Sequence, residues 1–177
     1  MRDNNFIIEN NAKHLWHPMG APGDSINNPP KVITNANGSQ ISDIDGHTTV
    51  DAVGGLWCVN LGYSNEAVKK AISEQLNHLP YYSGFAGTTN PAAIEASFMV
   101  KEMFKADGME KVFFTSGGSD SVETCLRLSR QYHRLRGEPT RTKFISLKKG
   151  YHGTHFGGAS VNAVSYTHLT LPTILLV

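Results

Sequence analysis

Residues 111–137 constrain the fold more than any other stretch of the chain. Lys111-Val112-Phe113-Phe114-Thr115 is a short apolar run, too brief for a helix and suited to a buried strand. Ser116-Gly117-Gly118-Ser119-Asp120 follows at once, and Val122, Cys125, Leu128, Tyr132 and Leu135 then recur at gaps of three, three, four and three. This order predicts strand, glycine turn and amphipathic helix in direct succession. Arg134 and Arg136 put cations at the negative end of that helix, and Gly137 stops it. A chain built from such units belongs to the α/β class, with a mostly parallel sheet.

The flanking segments extend this reading. Residues 1–30 form an irregular arm with one short helix near 6–15, ending in Asn27-Asn28-Pro29-Pro30. Three β-type runs follow at 31–34, 40–44 and 48–52. Asn37-Gly38 separates the first pair and Asp45-Gly46 the second, which predicts a three-stranded meander. Val68, Ile72, Leu76 and Leu79 mark an amphipathic helix with Ser64 or Asn65 as N-cap and Pro80 at its close. A second helix starts at Asn90-Pro91 and stops at Asp107-Gly108. Residues 143–147 read as another strand, leading into the cluster Gly150-Tyr151-His152-Gly153.

Three blocks result: arm and meander over 1–60, the start of a larger α/β domain over 61–163, and a dissimilar tail over 164–177. The tail carries no charged residue, and VSYTHLTLPT within it is similar to the translation of a sequencing adapter. It is therefore set aside from fold reasoning, and the natural sequence is expected to diverge near Ala163.

Composition narrows the function. Sixteen Lys and Arg against fifteen Asp and Glu give a net charge of +1, so no global field draws the chain to nucleic acid or to an anionic membrane. Hydrophobic residues at 40% exclude intrinsic disorder, and no apolar run approaches the roughly 20 residues of a membrane-spanning helix. Cys58 and Cys125 are too few for a disulfide framework, and the N-terminus lacks the layout of a signal peptide, so a cytoplasmic location is expected.

Chemistry is expected where the glycines cluster. At residues 116–120, a strand turning through glycines into a helix leaves unpaired N–H groups at the positive end of a dipole, beside Ser hydroxyls. That arrangement suits a phosphate. It matches neither G-x-x-x-x-G-K-[ST] nor G-x-G-x-x-G, so nucleoside triphosphate and dinucleotide readings lose specific support. The competing reading is an ordinary turn with Asp120 or Ser119 as N-cap and Glu123 completing a capping box, and spacing leaves both open. Tyr151, after a strand, could cover a planar ring, or else belong to a plain loop with a solvated His152. No metal site is expected at His152 and His155. The aromatics of 54–63 and 81–85 fit either a small-molecule pocket or core packing. No G-x-S-x-G elbow and no paired acidic motif supports a hydrolase.

In order, HLWHPM, GLWCVNLGY, LPYYSGF, VFFTSGGSDSVET and GYHG resemble the N-terminal part of class III aminotransferases, enzymes of fold type I that use pyridoxal 5′-phosphate. The likeness covers nearly all of residues 10–162 and is nearest the ω-amino acid and amine:pyruvate transaminases. It implies a β-meander followed by the first part of the mixed, mostly parallel sheet of the large domain. It also implies that Gly118 and Ser119 hold the cofactor phosphate, that Tyr151 stacks on the pyridine ring, and that Trp57 and Phe85 line the substrate pocket. Phe85 would come from the partner subunit of a homodimer. Gly-Gly-Ser-Asp-Ser stands where relatives often have Ser-Gly-Ser-Glu-Ala, which keeps the Gly118-Ser119 pair.

The family's Schiff-base lysine and the aspartate facing the pyridinium nitrogen belong to a later segment, and neither Lys148 nor Lys149 sits in the lysine motif. The resemblance thus implies an inactive piece of an enzyme that passes an amino group from amine to keto acid by a ping-pong cycle. Three rivals remain: an aminomutase or decarboxylase of the same fold type, a non-catalytic phosphate-binding module, and a truncated frame with no stable fold.

Overall fold

The computed structural model describes residues 2–18, 20–147 and 150–162, with the backbone of Ile174–Leu176. The chain divides into two compact units, residues 1–88 and 89–177.

The first unit begins with α1 (Asn4–His14), capped by the Asp3 carboxylate accepting from Phe6 N at 2.8 Å. A short α2 (Pro22–Asn27) follows, with Pro22 in its first turn, where a missing N–H costs nothing. Sequence patterning had located the first helix and missed the second, which is too short to show a period. The meander forms as expected: β1 (Ile33–Asn37), β2 (Gln40–Asp43) and β3 (Thr48–Val50) pair antiparallel in that order. Gly38 turns the first hairpin with φ 56° and Gly46 the second with φ 87°, values only glycine adopts without strain. Asp43, buried at the second hairpin, accepts from the backbone of Asp45 and His47 and from His47 Nδ1. These groups form the one Asp/His cluster among the described residues, and its contacts serve to lock the turn.

Next comes α3 (Gly54–Trp57), a single turn whose four residues all have positive φ. It is treated below. The amphipathic α4 (Glu66–His78) then starts at Asn65, whose side chain accepts from Val68 N at 3.1 Å, so Asn65 and not Ser64 is the cap.

The second unit opens with α5 (Pro91–Met103), capped by Asn90, and a 3-10 turn ending at Gly108 in the left-handed region. Residues 111–115 are not the buried strand that their pattern predicts. They pair with nothing among the described residues, and Phe113 and Phe114 are exposed, because no neighbouring strand offers them a ladder. The long α6 (Gly118–Leu135) follows the glycine turn as predicted. Strand β4 (Phe144–Ser146) pairs in parallel with β5 (Ile174–Leu176), so part of the segment set aside as a tail joins the sheet. The remainder of 164–177 lies outside the described residues. Between them, α7 (Phe156–Ser160) and the two residues after it hold the densest run of buried positions, Gly158, Ala159, Ser160, Val161 and Asn162.

The apolar stripes of the longer helices are uncovered. Ile72 and Leu76 of α4, Ile94 and Phe98 of α5, and Leu128 and Leu135 of α6 are all exposed. Their period is that of a helix packed on a core, so the sequence is written for more neighbours than the described residues supply.

Candidate cofactor and substrate site

The N-terminus of α6 is built as an anion cradle. Gly117 is the N-cap and offers no side chain, so no side-chain cap bond closes the first turn. Ser121 N reaches back to Gly117 O at 3.0 Å, which leaves the N–H groups of Gly118, Ser119 and Asp120 without acceptors among the described residues. A Cβ placed on Gly117 or Gly118 would meet nothing within 4 Å, so the space in front of these donors is open. Thr115 and Ser121 close the base of the turn through their hydroxyls, 2.5 Å apart.

This geometry decides against the capping-box alternative. Neither Ser119 nor Asp120 caps α6, and Glu123 does not reach back to the turn. Instead the Glu123 carboxylate accepts from Gly157 N at 2.8 Å and Gly158 N at 3.2 Å, capping α7 across the chain. Ser119 Oγ accepts from Thr154 N at 3.0 Å, and Asp120 stands 3.1 Å from His155 Nδ1. The first turn of α6 is thereby clasped to the loop that follows β4.

The clasp depends on glycine. A Cβ on Gly153, whose φ is 107°, would lie 2.8 Å from Ser119 Cα, and one on Gly157 would lie 2.6 Å from Glu123 Oε2. Asn162 secures the other side: Nδ2 donates to Gly153 O at 2.8 Å, and Oδ1 accepts from His152 N. Tyr151 therefore sits three residues from Thr154, whose N–H makes the contact with Ser119, and its ring is exposed. His152 is not the solvated residue of the plain-loop reading, since its Nε2 is buried and has no hydrogen-bond partner among the described residues.

The donors present fit a phosphate ester: three free N–H groups, a serine hydroxyl with its proton still to give, and no Cβ in the way. Asp120, the one carboxylate in that first turn, is engaged by His155. A cleft of about 490 Å³ between α6 and α7 lies beside this cradle and includes Asp120 and Glu123 but neither Gly118 nor Ser119.

In the first unit, Trp57 and Phe85 are held apart from any core. Trp57 is 79% exposed and ends α3, whose Leu56 has φ 64° and ψ 54°. A left-handed residue other than glycine costs roughly 1–2 kcal/mol, so α3 needs a restraint. Asp51 provides it. Its Oδ1 accepts from Val53 N and Gly54 N, each at 3.1 Å, and its Oδ2 from Gly55 N at 2.7 Å and Tyr63 Oη at 2.6 Å. The Tyr63 hydroxyl and these N–H groups hold the Asp51 carboxyl below its ordinary value, and the same contact raises the Tyr63 phenol. Tyr63 entered the sequence reading only among the aromatics of 54–63, and Asp51 escaped it, although an Asp shortly ahead of paired glycines is the signal of a side chain capping a turn. Phe85 is 83% exposed in a loop secured only locally, by its own N–H to Ser83 Oγ and by Thr88 Oγ1 to its carbonyl.

Residues 23–174 match the family model for aminotransferase class III. The chain belongs to the class III aminotransferases. It is 36% identical over 138 residues to putrescine–pyruvate aminotransferase of Pseudomonas aeruginosa, covering 78% of this chain and 30% of that protein. To the omega-aminotransferase of Caulobacter vibrioides it is 31% identical over 166 residues, covering 94% of this chain and 37% of the relative. Among solved structures, an amine transaminase from an uncultivated Pseudomonas species, in its PLP-bound form, superposes with a TM-score of 0.86 at 42% identity. That superposition covers 92% of this chain and 38% of the other. An omega transaminase variant of Pseudomonas jessenii superposes at 0.89 with 30% identity, over 96% of this chain and 38% of that one. It replaces a tryptophan, a phenylalanine and an arginine, and was engineered for the synthesis of bulky amines. Its substituted tryptophan and phenylalanine are separated by the same interval as Trp57 and Phe85. The chain thus spans 30–38% of these relatives' length. These matches identify the chain as a partial α/β domain of fold type I, as the class-level reading of the sequence anticipated.

Proposed function

We propose that this chain forms part of a pyridoxal-phosphate-dependent transaminase that moves an amino group from an amine or ω-amino acid to a keto acid such as pyruvate. The observation that carries the proposal is the open N-terminus of α6, with three unpaired N–H groups and Ser119, in a chain of the class III family. Gly118 and Ser119 would hold the cofactor phosphate through backbone N–H groups and one hydroxyl. Tyr151, on the loop clasped to Ser119, would cover one face of the pyridine ring. When bound, pyridoxal phosphate supplies a carbonyl carbon that takes up the amino group and a ring that withdraws electrons from it. This chain's own share is to bind the phosphate, fix the ring and bound the amine pocket. The covalent lysine belongs to the remaining length of the family, so these residues alone would not turn over.

The shared interval with the Pseudomonas jessenii variant supports Trp57 and Phe85 as walls of the amine pocket. Phe85, unsupported within its unit, suits a wall contributed across a homodimer interface. A cytoplasmic setting accords with two free cysteines. Among the described residues no helix is long and apolar enough to cross a membrane.

The test uses the complete enzyme, these residues continued by the family's remaining length. Incubation with a primary amine and pyruvate should yield alanine, with the parallel-line kinetics of a two-step transfer. No alanine from any amine or ω-amino acid, with an α-amino acid instead isomerised or stripped of its carboxyl group as carbon dioxide, would replace the transaminase with a same-fold mutase or decarboxylase.

A further inference from the structure

The α3 turn points its tryptophan by backbone alone. Gly54, Gly55, Leu56 and Trp57 have φ of 58°, 60°, 64° and 67°, a left-handed run that L residues leave when nothing holds them. Trp57 is 79% exposed and makes no side-chain hydrogen bond among the described residues, so its direction follows from the conformation of the turn.

That conformation is secured at one carboxylate. Asp51 spends its acceptor capacity on three successive turn N–H groups and the Tyr63 hydroxyl. Both clamp residues are hooked to the same hairpin: Asp51 N donates to Ser39 O at 2.9 Å and Tyr63 N to Gly38 O at 2.8 Å. Gly62 allows the second hook, because a Cβ there would stand 2.8 Å from Gly38 O. Gly55 is equally constrained, its Cβ position lying 2.6 Å from Val59 Cγ2 and 3.2 Å from Tyr63 Oη. A continuous path of contacts runs from the β1–β2 turn through Tyr63 and Asp51 to the backbone beneath Trp57.

We propose that Asp51, supported by Tyr63, is a positioning residue that sets the reach of Trp57 and with it the largest amine substituent the enzyme accepts. The inference rests on the reading of Trp57 as a pocket wall. Loosening the clamp lets the turn leave the left-handed region, which withdraws the indole and enlarges the pocket as truncation of the ring would.

The test compares Asp51→Asn, Tyr63→Phe, Trp57→Ala and the double variant Asp51→Asn/Trp57→Ala in the complete enzyme. The readout is the ratio of kcat/KM for 1-phenylbutylamine to that for 1-phenylethylamine. Trp57→Ala and Asp51→Asn should each raise the ratio about tenfold, and Tyr63→Phe, which loses one bond, severalfold. Asp51→Asn should add nothing once Trp57 is truncated, because it acts through that ring. An equal effect of Asp51→Asn with and without Trp57, or none where Trp57→Ala has one, overturns the proposal.

A second measurement needs no cofactor. In the complete enzyme freed of cofactor, Asp51→Asn should speed chymotryptic cleavage after Trp57 about tenfold relative to cleavage at Tyr81, since the turn opens while the reference site does not change. Unchanged relative cleavage means that Asp51 does not hold the turn, and overturns the clamp. A Trp57→Ala enzyme with an unaltered amine ratio overturns the pocket reading and the inference with it. Accelerated cleavage would then still stand, so the two failures are told apart.

Discussion

Ser119 keeps its proton to give. Its oxygen already accepts from Thr154 N, so a phosphate would receive the hydroxyl hydrogen while the loop contact stays in place. Ser119→Ala should therefore weaken pyridoxal phosphate binding by roughly 1.5–3 kcal/mol, about tenfold to a hundredfold, as expected for one hydrogen bond to a charged group. Fluorescence titration of the complete enzyme checks this, and a variant that melts earlier yet binds cofactor like the parent would remove Ser119 from the site. Asp51 carries a pH dependence of definite sign. Its carboxyl is held below the ordinary 3.8, first by the Tyr63 hydroxyl and then by the turn N–H groups, so the ionised form is favoured in the folded state. That stabilisation is present above pH 3.8 and is lost as pH falls through the depressed folded value. Amide protection at Gly54 and Gly55 should accordingly decline in acid below about pH 4, and Asp51→Asn should abolish that decline.

At the scale of elements, the clasp between α6 and the α7 loop gives the glycine turn at the start of α6 its register. Glu123→Ala would strip the acceptor from Gly157 N and Gly158 N and should cost about 1 kcal/mol, the usual value of a lost cap. Because the same loop carries Tyr151 and touches Ser119, cofactor affinity should fall along with the thermal midpoint. A midpoint shift without any change in affinity would confine Glu123 to structure. Much of this level was legible in the sequence. The meander showed in Asn37-Gly38 and Asp45-Gly46, α4 and α5 showed in their periods and caps, and the turn into α6 showed in Gly117-Gly118. What the sequence could not show were partners distant along the chain. Glu123 sits at the spacing of a capping box, yet its acceptors serve residues 34 and 35 positions away. Residues 111–115 read as a strand from composition, but pairing needs a neighbour, and none is described. The left-handed α3 was equally hidden, since its cause is a tetradentate acceptor at Asp51 and not a local propensity.

At the scale of the molecule, the exposed stripes of α4, α5 and α6 and the unpaired Phe113-Phe114 run leave wide apolar surfaces without cover. The chain by itself should associate. Sedimentation should show species larger than monomer that grow with concentration, and a hydrophobic dye should bind without a cooperative melt. A monodisperse monomer with a sharp thermal transition would contradict that expectation. The central claim concerns the cradle at α6, and one variant isolates it. Gly118 lies within the helix without positive φ, and a Cβ there meets no protein atom, so Gly118→Val should fold normally while its side chain fills the space in front of the phosphate donors. The direct measurement is pyridoxal phosphate affinity of the complete Gly118→Val enzyme, taken with its thermal midpoint in the absence of cofactor. The account predicts a midpoint within a few degrees of the parent and affinity reduced by at least about a hundredfold, as for a ligand denied its charged contacts. Parental affinity at a parental midpoint would contradict it.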